Sequence, residues 1–136
     1  MATYNKFYSF VEALAEKKHD LGADVLKVAL SNAANAPSAS ADAVLADITT
    51  VSTTNLDLVT LTVTSSAQTA GTYKLVLADK TMTASGTVGP FRYIIIYNDT
   101  AANDELICWY DYGSEITLNA GDTFKLDFGT ELFALA

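Results

Sequence analysis

Cysteine is nearly absent from this chain. Cys108 is the only one, so an intrachain disulfide is excluded, and a reducing compartment is consistent with it. Histidine is equally scarce. With His19 alone, the sequence has no cluster of imidazoles and thiols at metal-ligand spacing. Cations are few: one arginine and seven lysines against sixteen carboxylates leave a net charge of −8. Only Lys17 and Lys18 are adjacent, whereas a phosphate backbone needs clustered positive charge, so nucleic acid is not an expected partner. No apolar run approaches the ~20 residues of a membrane-spanning helix, and the first residues lack the basic-then-apolar layout of a signal peptide. No membrane partner is expected.

What the chain does have is apolar and aromatic residues in β-type patterns. Half of its 136 residues are hydrophobic, and at that length one domain, 1–136, buries roughly two-thirds of its unfolded surface. The organising stretch is 91–112. Two runs rich in aromatic and β-branched residues, 91–97 and 106–112, flank a polar, turn-prone segment, the pattern of a β-hairpin with a longer loop. Alternation places Phe91, Tyr93, Ile95 and Tyr97 on one face and Arg92, Ile94, Ile96 and Asn98 on the other. The middle of that strand is apolar on both sides, which predicts a central strand. Gly89-Pro90 suits a strand entrance.

Upstream, the spacing of Tyr4, Phe7, Tyr8, Val11, Leu14 and Ala15 predicts an amphipathic helix over 4–18 whose aromatic stripe lies on the sheet. Lys17, Lys18 and His19 fall in its last turn and Gly22 ends it. A strand follows at 25–31. Residues 32–43, lacking any large apolar side chain, read as a mobile loop. Residues 44–48 fit a helical turn or a short strand. Alternation then predicts strands at 58–64, 72–78, 82–88, 115–118, 123–128 and 132–135, with a turn at 119–122. The expected fold is mainly β: an antiparallel sandwich or jelly-roll-like barrel of about eight strands, with one N-terminal helix packed on it.

The residues suggest no catalytic, cofactor or metal site. His19 at a helix end reads as a cap, and Cys108 as a buried structural thiol. Asp99, Asp104, Glu105, Asp111 and Glu115 lie in or beside the hairpin, where Asn-Asp pairs are ordinary turn chemistry. A calcium site in loop 98–105 lacks the twelve-residue ligand pattern. An enzyme is not expected. The candidates for interaction are Phe91, Tyr93, Tyr97, Trp109, Tyr110 and Tyr112, as anchors of a subunit interface or a platform for sugars.

Several segments, read in order, resemble small virion proteins of tailed bacteriophages: 4–22 (YNKFYSFVEALAEKKHDLG), 26–32 (LKVALSN), 44–49 (VLADIT), 85–93 (SGTVGPFRY), 97–100 (YNDT) and 109–113 (WYDYG). The chain departs from that pattern at 50–58, where a Gly-rich segment is expected, and in a shorter C-terminus. The resemblance implies a structural protein located in the virion, assembled in the host cytoplasm, with the major capsid protein or other virion proteins as partners. Within that class a capsid decoration (cement) protein is preferred. The alternative is a tail or baseplate protein, including a carbohydrate- or host-surface-binding module. A homo-oligomer is expected because the central strand is apolar on both faces and the aromatics exceed what one helix can cover; a trimer is favoured from the symmetry of capsid surface sites.

Overall fold

In the computed structural model, which describes residues 2–136, the elements follow as β1 (Thr3–Lys6), α1 (Ser9–Ala15), β2 (Leu26–Ser31), β3 (Val63–Thr69), β4 (Thr72–Leu77), β5 (Lys80–Thr83), β6 (Val88–Asn98), β7 (Leu106–Leu118), β8 (Thr123–Leu126) and β9 (Phe133–Leu135), with 3₁₀ turns at Ala33–Asn35 and Leu45–Asp47. The protein is mainly β with antiparallel sheets, nine strands among the described residues rather than about eight. The largest sheet runs β1-β7-β6-β2, beside a three-stranded sheet β3-β4-β9 and a pair β5-β8.

The hairpin forms as its composition predicts, and β6 is an inner strand of the largest sheet. Both of its faces are covered by the chain itself. Ile94 and Ile96 join a core that also takes in Leu75 from β4, Met82 from β5 and Phe124 and Leu126 from β8, so this core draws on all three sheets. Tyr93, Ile95 and Tyr97 face a second cluster with Phe7, Ala29, Leu106 and Trp109. Each fully buried isoleucine contributes about 1.5–3 kcal/mol.

Alternation fails at one residue of this strand. Phe91 packs in the first core with Ile94 and Ile96, not with Tyr93. The ladder is irregular there: Phe91 pairs with Ile116 and Tyr93 with Asp111, so the extra residues of β7 between them bulge and turn the strand. Gly113, at φ +81°, sits within the bulge, and the residues expected to form a separate strand at 115–118 continue β7 beyond it. Gly89 is required where β6 begins: its φ is +104°, and a Cβ there would stand 2.6 Å from the Ile116 carbonyl oxygen.

The N-terminus corrects the sequence reading. The first element is a strand, not a helix: β1 pairs with β7 from Thr3↔Asp111 to Lys6↔Cys108, and the helix shrinks to α1. Its C-terminus closes early because Lys17 adopts φ +65°, with the Lys17 amide bonded to the Leu14 carbonyl and the Lys18 amide to that of Ala13. Gly22 therefore plays no part in ending it. The inward residues are Phe7, Phe10 and Ala13, with Leu14 half-buried, while Tyr8 and Val11 face solvent. Phe10 meets the Phe133 ring of β9 at 5.2 Å, edge-on.

Two other strands shift. β3 begins at Val63, and residues 59–61 run beside β2 through bonds from the Val28 amide to the Val59 carbonyl and from the Leu61 amide to that of Leu26. The strand expected at 82–88 is β5, which ends at Thr83, and Val88 opens β6. Residues 32–43 hold no strand, yet they are fastened: the Tyr8 amide donates to the Ala39 carbonyl, the Leu106 amide to that of Ala43, and the Ala33 amide to the Glu115 carboxylate at 2.9 Å.

A tyrosine cleft and a buried polar cluster

The six aromatic residues nominated by the sequence divide into two groups. Phe91, Tyr93, Tyr97 and Trp109 are buried inside their own chain. Trp109 lies against Phe7 with ring centroids 4.5 Å apart, and Phe91 meets Phe124 edge-on at 5.4 Å. Those four are core residues, none more than 9% exposed. Tyr110 and Tyr112 are half-buried. They line a cleft of about 610 Å³ with Tyr4 and Phe128, whose rim carries Lys125, Asp127 and Glu131.

The cleft is assembled from distant parts of the chain. β1 brings Tyr4 to Tyr110, 5.6 Å away and edge-on, and the residues after β8 bring Phe128 to 6.2 Å from the same ring. Burial raises the phenols of Tyr4, Tyr110 and Tyr112 above their ordinary value, so all three remain protonated donors across the neutral range. Beyond Tyr4 a smaller hollow of about 300 Å³ adds Val11, Leu14, Phe133 and Leu135. The arrangement offers apolar faces with hydroxyl tips, suited to contact with protein or a sugar. Tyr4 and Phe128 were not nominated by the sequence. Tyr4 sat in a helix-like pattern and Phe128 in a plain strand alternation, and neither pattern says that β1 and β8 lie beside β7.

Cys108 is fully buried, and burial pushes its thiol far above the ordinary range, consistent with a structural role. Four of the five hairpin carboxylates, all but Asp104, have structural partners. Asp111 takes both Arg92 nitrogens at 2.8 and 3.1 Å, and that guanidinium holds its carboxyl below the usual range. Asp99 pairs with Lys27 at 2.9 Å, and Glu105 accepts from the Asn103 amide. Among the described residues no group of three His, Cys, Asp or Glu is placed to hold a metal ion.

His19 is not a helix cap. It lies beyond the end of α1, buried, where its Nδ1 accepts from the Asn98 side-chain amide at 3.0 Å. Asn98 also donates to Asp24 at 2.6 Å. The imidazole is therefore neutral with its proton on Nε2, which is buried and has no hydrogen-bond partner among the described residues. Burial holds its pKa below the usual value, against the opposing pull of Glu105 and Asp24. The unfolded chain thus takes up a proton on this histidine at higher pH than the folded one. The associated stability is fully present above pH ~6.5 and declines as pH falls from there toward the lower folded value. Thermal midpoints measured from pH 7 to pH 5 are expected to fall, and His19→Gln to flatten that part of the profile. An unchanged slope in the variant would show that His19 does not govern it.

Comparison of the chain with protein-family models, with curated proteins and with solved structures finds no match.

Proposed function

We propose that this chain is a structural protein of a tailed-bacteriophage virion, a decoration (cement) protein that binds the outside of the head and stabilises it. The observation that carries the reading is the covering of β6 on both faces by its own chain. Such a domain can be added ready-folded to a finished shell, because its hairpin does not wait for a partner to bury it. We read the architecture as an antiparallel β-sandwich, with the largest sheet as one layer. The contacting surface in this reading is the cleft of Tyr4, Tyr110, Tyr112 and Phe128. Aromatic anchors of this kind dominate interface energetics.

With few cations on the chain, attachment rests on apolar packing more than on ion pairs. Purified particles are expected to retain the protein in about 1 M NaCl, where the screening length is only ~3 Å. Tyr110→Ser with Tyr112→Ser should release it, and particles lacking it should rupture at lower temperature. Release by moderate salt, or density at the tail in a reconstructed virion, would count against the decoration role.

A further inference from the structure

We propose that β3 is the strand through which two copies of this chain pair, antiparallel and about a twofold axis, joining their three-stranded sheets into one and giving a dimer in place of the trimer favoured from the sequence. The order β3-β4-β9 leaves β3 at an edge, with β4 as its only neighbour in that sheet. Ala70 and Gly71, both at positive φ, form a two-residue loop closing on Thr69 and Thr72. In that geometry Thr69, Ala67 and Ser65 turn their N–H and C=O groups toward β4, while Gln68 and Ser66 turn theirs outward. Those outward groups are the template for another strand.

Edge strands are ordinarily blunted by lysine, proline, coverage or extreme shortness. The other edges here show such devices. β1 carries Lys6, β5 and β8 carry Lys80 and Lys125, β9 is three residues long, and β2 is bridged by Val51 and Thr60. β3 is seven residues long, with most of its side chains exposed. No charged residue occurs from Leu58 to Tyr73, and no proline lies between Pro37 and Pro90. Its one irregularity falls between Val63 and Ser65, so the strand is regular from Ser65 onward.

Charge identifies the occupant. Two copies at −8 each repel, and contact is favoured where neither brings a carboxylate into the seam. β3 itself carries no carboxylate, and Asp20 is the one that shares a hollow with Ser66. A basic partner strand gains nothing from this uncharged edge and is drawn to acidic surface elsewhere. A second copy supplies an identical edge, and a twofold axis gives the antiparallel sense the sheet requires.

The test is sedimentation of the purified chain at tens of micromolar, beside Ala67→Lys, Ala67→Glu and Gln68→Pro. Wild type should be dimeric. Ala67→Lys and Ala67→Glu should each weaken the dimer about tenfold or more by setting like charges across the seam. Because Ala67 stands opposite Lys74 on β4, the lysine should lower the thermal midpoint of the chain and the glutamate should not. Gln68→Pro should also weaken the dimer by removing an outward N–H. An equimolar mixture of Ala67→Lys and Ala67→Glu should dimerise again, which a merely structural defect would not allow. If Gln68→Pro unfolds, the Ala67 pair decides alone. A wild type that stays monomeric, or a dimer indifferent to the Ala67 substitutions, would overturn the proposal.

Discussion

Phe7→Ala is expected to destabilise the protein by about 3–5 kcal/mol, the usual result of truncating a buried aromatic, and to lower the thermal midpoint by roughly 10–20 °C. Val11→Ala, four residues further on, should stay within about 0.5 kcal/mol of wild type. The contrast follows from position. Phe7 is fully buried and packed against Trp109 with its ring tilted, in the cluster that covers the outer face of β6 through Tyr93, Ile95 and Tyr97. Its backbone is held as well, because the Phe7 amide donates to the Ile107 carbonyl. An alanine there leaves a cavity lined by strands that cannot close on it, because their spacing is fixed by the ladder. Val11 is 54% exposed on the solvent side of α1. Paired denaturation curves check both halves of the statement. A midpoint for Phe7→Ala within a few degrees of wild type would mean that the second cluster is not a true core.

Asn98→Ala is expected to cost on the order of 3 kcal/mol or more, since each buried polar group left unpaired costs about 1–3 kcal/mol. This side chain joins three segments at the end of β6. Its amide nitrogen donates to His19 and to Asp24, and its oxygen accepts from the Thr100 and Ala101 amides at 3.0 and 3.1 Å. The segment 19–25, between α1 and β2, is thereby tied to the hairpin loop, and the Val25 amide adds a bond to Thr100 Oγ1. Alanine removes all four side-chain bonds. Asn98→Asp should be equally disruptive at neutral pH, because it sets a carboxylate against Asp24 in a buried place. Hydrogen exchange would locate the damage: faster exchange at Thr100 and Ala101 is expected in Asn98→Ala, whereas the carboxylate of Asn98→Asp still accepts from both amides. A loss of stability below about 1 kcal/mol for Asn98→Ala would show that water replaces these partners at little expense.

The sequence by itself determined the β class, the hairpin, the central place of β6 and the alternation of β8. These are local properties. A run apolar on both faces has to be covered on both faces, and the Phe124, Leu126 and Phe128 period needs no knowledge of the rest of the chain. The turn at 119–122 was legible for the same reason: Asn119 and Asp122 close it with their own groups. Tertiary structure decided the start of the chain. Tyr4, Phe7, Tyr8 and Val11 fit a helical period, yet the first residues are drawn into a strand by a vacant edge on β7 about a hundred residues away, and no window on the sequence contains that edge. It also decided the face of Phe91, through a bulge that depends on the Gly113 turn in the partner strand. The tyrosine cleft was half legible. Tyr110 and Tyr112 stood out by composition, but Tyr4 and Phe128 join them only because β1 and the residues after β8 converge on β7. His19, which burial keeps neutral, looked like a helix cap until the fold placed Asn98 and Asp24 around it. Local patterns report which residues must be hidden. What hides them is a matter of pairing across long stretches of chain, and only the assembled sheets supply it.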